Sequence, residues 1–142
     1  MNKKKLAYIL DKEYYEEKME NKDYIDTETS DIITLPIKVE SRNKLDRQHW
    51  AVKRKAKQTY QLFIRNQMRL KKIKAAEQKK YKLVILSYRK KKLDYDNLVG
   101  GCKHLIDALI EEGFIFDDSP DYIDLNISQY IAKEYQTIII RK

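Results

Sequence analysis

At 142 residues, 37% charged and 42% hydrophobic, the chain is sized for one domain with a real core and holds no apolar run long enough to span a bilayer. Met1 to Lys5 lead into no hydrophobic signal region, so a soluble, cytoplasmic chain is expected. The net charge of +8 is segregated: residues 1–30 carry −2, residues 31–92 carry 20 basic against 4 acidic side chains, and residues 93–142 carry −6. One surface thus suits a polyanion while another gathers carboxylates, which makes nucleic acid the leading partner and leaves a purely structural role without a reason for the basic segment.

Residues 1–30 read as a charged N-terminal extension, with a thin helical stripe at Leu6, Ile9, Leu10 and Tyr14, ahead of a domain over 31–142. Asp31 to Glu40 is β-branched and apolar and predicts a first strand, in which Pro36 demands an edge position or a bulge. Residues 41–46 read as a polar loop. No Gly or Pro interrupts Arg47 to Lys80, and Ala56, Tyr60, Phe63, Ile64 and Met68 recur at helical spacing. A long amphipathic helix is expected there, broken near Ala75, its other face carrying Lys53, Arg54, Lys55, Lys57, Arg65, Arg69 and Lys71. Tyr81 to Tyr88 reads as a mostly buried second strand. Leu98, Cys102, Leu105, Ile106 and Leu109 mark a second helix, capped by Asp96 or Asn97 and ended at Gly113. After a turn at Asp117 to Pro120, Tyr122 to Ile131 and Glu134 to Arg141 read as two more strands. The expected fold is α/β or α+β: a small mixed sheet of about four strands with two main helices, in the order β-α-β-α-β-β.

Cys102 is the only cysteine, which excludes an internal disulfide and a thiolate zinc site within the chain. On the apolar face of its helix it reads as a core or interface residue. His49 and His104 show no metal-binding spacing, and His104 reads as an exposed helix residue. Any metal is therefore expected to be a hard cation on carboxylates. Asp94 and Asp96 stand two residues apart, and if Asp94 ends the strand both point to one side. Two carboxylates about 5 Å apart repel by roughly 3 kcal/mol at an effective dielectric near 20, which asks for a shared proton, a cation or a basic partner. Asp117 and Asp118 add carboxylates from the next turn, and a Mg²⁺ site built this way would activate water and stabilise charge on a phosphodiester. Equally, the first pair can be a capping turn and the second a solvated loop.

Asp96, Gly100, Lys103 and Asp107 share one helical face. Gly100 and Gly101 each cost about 1 kcal/mol relative to Ala inside a helix, which implies a close approach to the backbone by nucleic acid, by another helix, or by helix-on-sheet packing. Arg47, Lys53, Arg54 and the run from Arg89 through Lys90, Lys91 and Lys92 are the candidates for phosphate contacts. Trp50 and the eleven tyrosines are available to stack on unpaired bases or to pack in the core.

Three groups of residues, read together, carry a family resemblance: Leu93-Asp94-Tyr95-Asp96-Asn97-Leu98, then Gly101-Cys102-Lys103 with Ile106-Asp107-Ala108-Leu109, then Gly113 through Phe114, Ile115 and Phe116 to Asp117-Asp118-Ser119-Pro120. The combined pattern resembles the RusA-like Holliday junction resolvases, many of them encoded by phages and prophages. Thr34-Leu35-Pro36, Asn43 and the basic helix around His49-Trp50 agree more loosely, so the likeness covers residues 31–142. It implies a homodimeric α/β nuclease in which Asp94, Asp96 and Asp118 hold Mg²⁺, with Mn²⁺ as a substitute. Asp117 would be an adjacent carboxylate and Lys103 the functional lysine, three residues further from the D-x-D-N than in the family's best-known pattern. The implied activity is metal-dependent hydrolysis of four-way DNA junctions in recombination and repair, in a bacterial or phage-infected cell, with branched DNA and a second copy as partners and no membrane. A structure-selective nuclease on forks or flaps, and a catalytically silent branched-DNA-binding module, are the alternatives.

Overall fold

A computed structural model describes residues 30–142, so the N-terminal helical stripe expected from Leu6 to Tyr14 lies outside the described residues. The described elements are β1 (Asp31–Leu35), α1 (Arg42–Arg47), α2 (Trp50–Leu70), β2 (Tyr81–Arg89), α3 (Tyr95–Gly101), α4 (Lys103–Glu111), β3 (Ile123–Ile131) and β4 (Gln136–Arg141). The four strands form one mixed sheet in the order β1-β4-β2-β3, an α+β arrangement. β2 and β3 are parallel, and β4 runs antiparallel to both β1 and β2. A parallel pair needs a crossover, and α3 and α4 supply it between β2 and β3.

β1 stops at Leu35, short of the expected Glu40, because Pro36 has no N–H to give a ladder. It is an edge strand, one of the two outcomes expected from Pro36, which lies just beyond its end. Side chains of α2 and of its C-cap satisfy two backbone groups of β1: the Thr34 N–H donates to Gln67 Oε1 at 3.1 Å, and Lys71 Nζ donates to the Ile32 carbonyl at 2.8 Å. Ile33, Leu35, Leu83, Ile85, Ile127 and Ile139 meet Tyr60, Ile64 and Met68 of α2 and Leu105 and Leu109 of α4 in the core. The alternate residues Val84, Leu86, Ile138 and Ile140 belong to the opposite face and are buried as well. β2 and β4 are therefore apolar on both faces, which is why β2 reads as a continuous run and not as an alternation.

The helices depart from expectation at three places. Residues 41–46, read as a loop, contain α1: the Ser41 hydroxyl accepts from the Lys44 N–H at 3.1 Å as its N-cap, and Leu45 is buried beneath it. The long helix ends at Leu70, ahead of the break expected near Ala75. Lys72 adopts a left-handed backbone (φ 53°), and the Ile73 N–H turns back to the Met68 carbonyl at 2.9 Å so that Ile73 packs against the core. Helix propensity in the lysine-rich continuation yields to that apolar contact. The second helix is two, α3 and α4, meeting at Cys102, and its cap is Asp94 instead of Asp96 or Asn97. Gly113 ends α4 as expected, at φ 81°, and its carbonyl accepts from the Ala76 N–H at 2.7 Å. Among the described residues, no helix is long and apolar enough to cross a membrane.

Candidate functional site

β2 ends at Arg89, so Asp94 lies beyond the strand and the alternation of strand side chains does not align the two aspartates. Asp94 is the N-cap of α3 and Asp96 sits in its first turn, both exposed; the Asp94 carboxylate makes no capping bond to the helix. They nonetheless share an open hollow of about 430 Å³ with Asn97, and with Arg42, Asn43 and Asp46 of α1. Asp46 is the carboxylate that sequence reasoning missed. Its one signal was Ser41, which caps a helix where a loop was read.

Three contacts build this hollow. The Gln129 side chain of β3 clamps the residue before Asp94, accepting from the Leu93 N–H at 2.9 Å and donating to the Leu93 carbonyl at 2.7 Å. The Asn97 side chain accepts from the Asn43 N–H at 3.3 Å, joining α3 to α1. The third is the approach predicted from the two glycines, and it comes from within the chain. A Cβ on Gly101 would stand 1.8 Å from the Glu40 carbonyl oxygen, and one on Gly100 would stand 2.5 Å from Cδ of Arg42. The glycines let the strand of chain entering α1 lie directly on α3, and that seats Asp46 beside Asp94 and Asp96.

Lys103 lines a different hollow, of about 400 Å³, with Arg42, Leu45, Asp46, Lys53, Gly100 and His104. Arg42 and Asp46, with Nε and Oδ2 3.6 Å apart, form the wall common to both hollows. The break at Cys102 starts a new helix at Lys103, so the single face expected from Asp96 to Asp107 is interrupted. His104 is half-buried, not exposed; burial lowers its pKa, opposed by Asp107 and reinforced by Lys53, Lys103 and Lys57. The imidazole is therefore neutral near pH 7.

Asp118 is exposed and Asp117 half-buried in the loop after α4, and neither lines the hollow of Asp94 and Asp96. Among the described residues, no group of three or more His, Cys, Asp or Glu side chains converges to hold a metal ion. The oxygen donors bordering the hollow are carboxylates and amides, the hard ligands that Mg²⁺ takes, and the Arg42 guanidinium borders it beside them. Mg²⁺ commonly binds through one or two carboxylates, its remaining positions filled by water and substrate phosphate. In donor chemistry alone, the Asp94 and Asp96 carboxylates are of the kind a hard cation takes.

The basic residues divide sharply. Arg89 is 6% exposed, and its guanidinium donates to the carbonyls of Val39 at 2.7 Å and Lys91 at 3.0 Å. Burial pulls its pKa down, and the expected phosphate contact of Arg89 gives way to a structural one. Lys57 and Arg65 leave the basic face too: Lys57 binds Glu111, and Arg65 holds Glu112 through Nε at 2.7 Å and Nη2 at 3.0 Å, tying α2 to α4. Lys90, Lys91 and Lys92 are exposed, with Lys90 Nζ 5.1 Å from the centre of the Tyr135 ring. Arg54 is exposed and Lys53 half-buried on the first turns of α2, while the Arg47 Nε donates to the Asn43 carbonyl at 3.1 Å. Trp50 is 65% exposed beside His49, and Tyr95, between the two aspartates, is equally open. His49 itself caps α2, its Nδ1 accepting from the Ala51 N–H at 3.2 Å. Cys102 is buried in the core, where desolvation pushes its thiol up to about 12, so it is no nucleophile. Compared with known proteins, the chain matches no protein-family model and no curated protein.

Proposed function

We propose that this chain is a Mg²⁺-dependent endodeoxyribonuclease that resolves four-way DNA junctions as a homodimer, in recombination or repair. The observation that carries the reading is the open hollow that Asp94 and Asp96 share, bordered by hard oxygen donors and adjoining a basic one. The pattern of residues 93–120 that resembles the RusA-like resolvases supports the choice of substrate. In this reading Asp94 and Asp96 hold the cation, and Mn²⁺ can replace it. When bound, the cation lowers the pKa of water and offsets the charge developing on the phosphodiester. Arg47, Lys53, Arg54 and Lys90 to Lys92 contact the arms, and hydrolysis breaks the bond from phosphorus to the 3′ oxygen. Two sites related by a dyad give paired nicks on opposing strands.

The resemblance assigns the third carboxylate to Asp118, and the hollow offers Asp46. Both are exposed side chains whose change to Asn leaves the core intact, so the two variants separate the assignments. The variant that loses cleavage in Mg²⁺ by a factor of ~100 or more identifies the ligand, on the scale of several kcal/mol of charge stabilisation.

Incubating the purified chain with a labelled four-way junction, with Mg²⁺ or with EDTA, tests the proposal. Paired nicks that need Mg²⁺ and vanish in Asp94→Asn, while junction binding persists or tightens, are the expected result. Preferential cutting of forks or flaps moves the substrate. Tight, salt-sensitive binding with no scission in Mg²⁺ or Mn²⁺ replaces the nuclease with a silent binding module, a reading to which the open, unconverged carboxylates also lend support.

A further inference from the structure

The hollow beside the acidic one is lined by cations that the cleavage reading does not use together. Arg42 comes from α1, Lys53 from the second turn of α2, and Lys103 and His104 from the first turn of α4. Three elements thus bring three permanent positive charges around one space of about 400 Å³, floored by Leu45 and by Gly100, which has no side chain to fill it. Among the described residues Asp46 is the one carboxylate lining it, Arg42 is already placed 3.6 Å from that carboxylate, and Asp107 lies near enough to act on His104. The balance still favours an anion. His104 adds a neutral ring, which donates or accepts a hydrogen bond without adding charge. Like charges held near one another are costly unless something neutralises them, and an oxyanion with several acceptor oxygens does so.

We propose that this hollow is a phosphate subsite, in which Lys53, Lys103 and Arg42 bind a phosphodiester of a DNA strand one step along from the phosphate that meets Asp94 and Asp96. For the source of that phosphate the inference rests on the nuclease reading; for the anion it does not. The shared Arg42–Asp46 wall separates the subsite from the acidic hollow, so a strand laid across both would present one phosphate to the cations and a neighbouring one to the carboxylates. Lys103 then positions the strand from a site of its own, which accounts for its place outside the hollow of the aspartates.

The test uses the full chain in EDTA, so that no cleavage contributes. Inorganic phosphate is titrated while the ring-proton NMR signals of the two histidines are followed. The His104 signal is expected to move saturably while that of His49, the cap of α2, stays still. Lys53→Gln and Lys103→Gln should each weaken phosphate binding about tenfold, the scale of one lost charged hydrogen bond, and Lys79→Gln, paired with Glu77, should not. A short single-stranded oligonucleotide should displace the phosphate. A static His104 signal, or variants that bind as the wild type does, overturns the subsite. Phosphate that a deoxynucleoside monophosphate displaces and the oligonucleotide does not overturns the strand as its source. Failure of junction cleavage with these titrations intact removes the nuclease reading and leaves the subsite standing.

Discussion

Gly101 carries more of the candidate site than any of its polar residues, because it decides whether α1 can reach α3 at all. A methyl group there would overlap the backbone oxygen of Glu40, which has no rotamer by which to move aside. Gly101→Ala should therefore destabilise the fold by ~1–3 kcal/mol, the cost of overpacking, although alanine is the better helix former. Urea unfolding checks this, and a midpoint equal to the wild type's would mean that α1 is not seated there. Gly100 meets only the flexible Arg42 side chain, so the same change at Gly100 is the milder one.

At the scale of elements, α2 is held to the crossover by ion pairs as well as by its apolar face. Arg65 holds the Glu112 carboxyl below the usual carboxylate range, chiefly through its hydrogen bonds, and Gln61 adds another. A carboxyl with a lower pKa folded than unfolded contributes stability above its unfolded value, and that contribution disappears as pH falls through the folded one. Stability should thus decline below about pH 4.5, an ordinary value for Glu, and Glu112→Gln should flatten that decline while lowering stability near neutrality by under ~1 kcal/mol. Thermal melts from pH 7 to pH 3 give the comparison. An unchanged acid limb in the variant would show that α2 is held by its core contacts alone. Ion pairing also changes what α2 would offer to DNA in the proposed reading, since Lys57 and Arg65 are held by Glu111 and Glu112, whereas Lys53, nearer its start, lines a hollow of the site and Arg54 is exposed.

For the whole molecule, the segregation of charge sets the behaviour. The basic segment ends in Lys90 to Lys92, which lead directly into Asp94 and Asp96, so in the proposed reading a strand drawn in by the lysines would arrive at the carboxylates. Each lysine that contacts a phosphate releases counterions, and replacing all three by Gln should reduce the slope of log K against log salt for duplex DNA by about 0.9 per contact made. Fluorescence anisotropy over a range of salt concentrations measures that slope. A slope identical to the wild type's would assign these lysines to solvent and move the DNA path toward α2.

Much of this was legible in the amino-acid sequence, because it depends on local pattern. The strands over Leu83–Leu86 and Ile138–Ile140, the apolar face of α2 at Tyr60, Ile64 and Met68, the edge position that was one of two outcomes Pro36 allowed, and the terminator at Gly113 follow from periodicity and backbone chemistry. The spacing of residues 94 and 96 singled out their carboxylates, but the start of α3, and not the strand period, brings them to one hollow. What tertiary structure alone decided is which distant groups meet them. Asp46 joins the pair, and Asp118 does not line their hollow, because α1 lies on the glycines of α3. Lys103 is diverted to a neighbouring hollow by the break at Cys102, and Arg89 turns inward to the carbonyl of Val39. Gln129 reaches Leu93 across 36 positions of chain. Side-chain period and propensity describe neighbours within a few residues, whereas these contacts depend on how the sheet and the crossover are stacked, and one-dimensional pattern holds no distance between such elements.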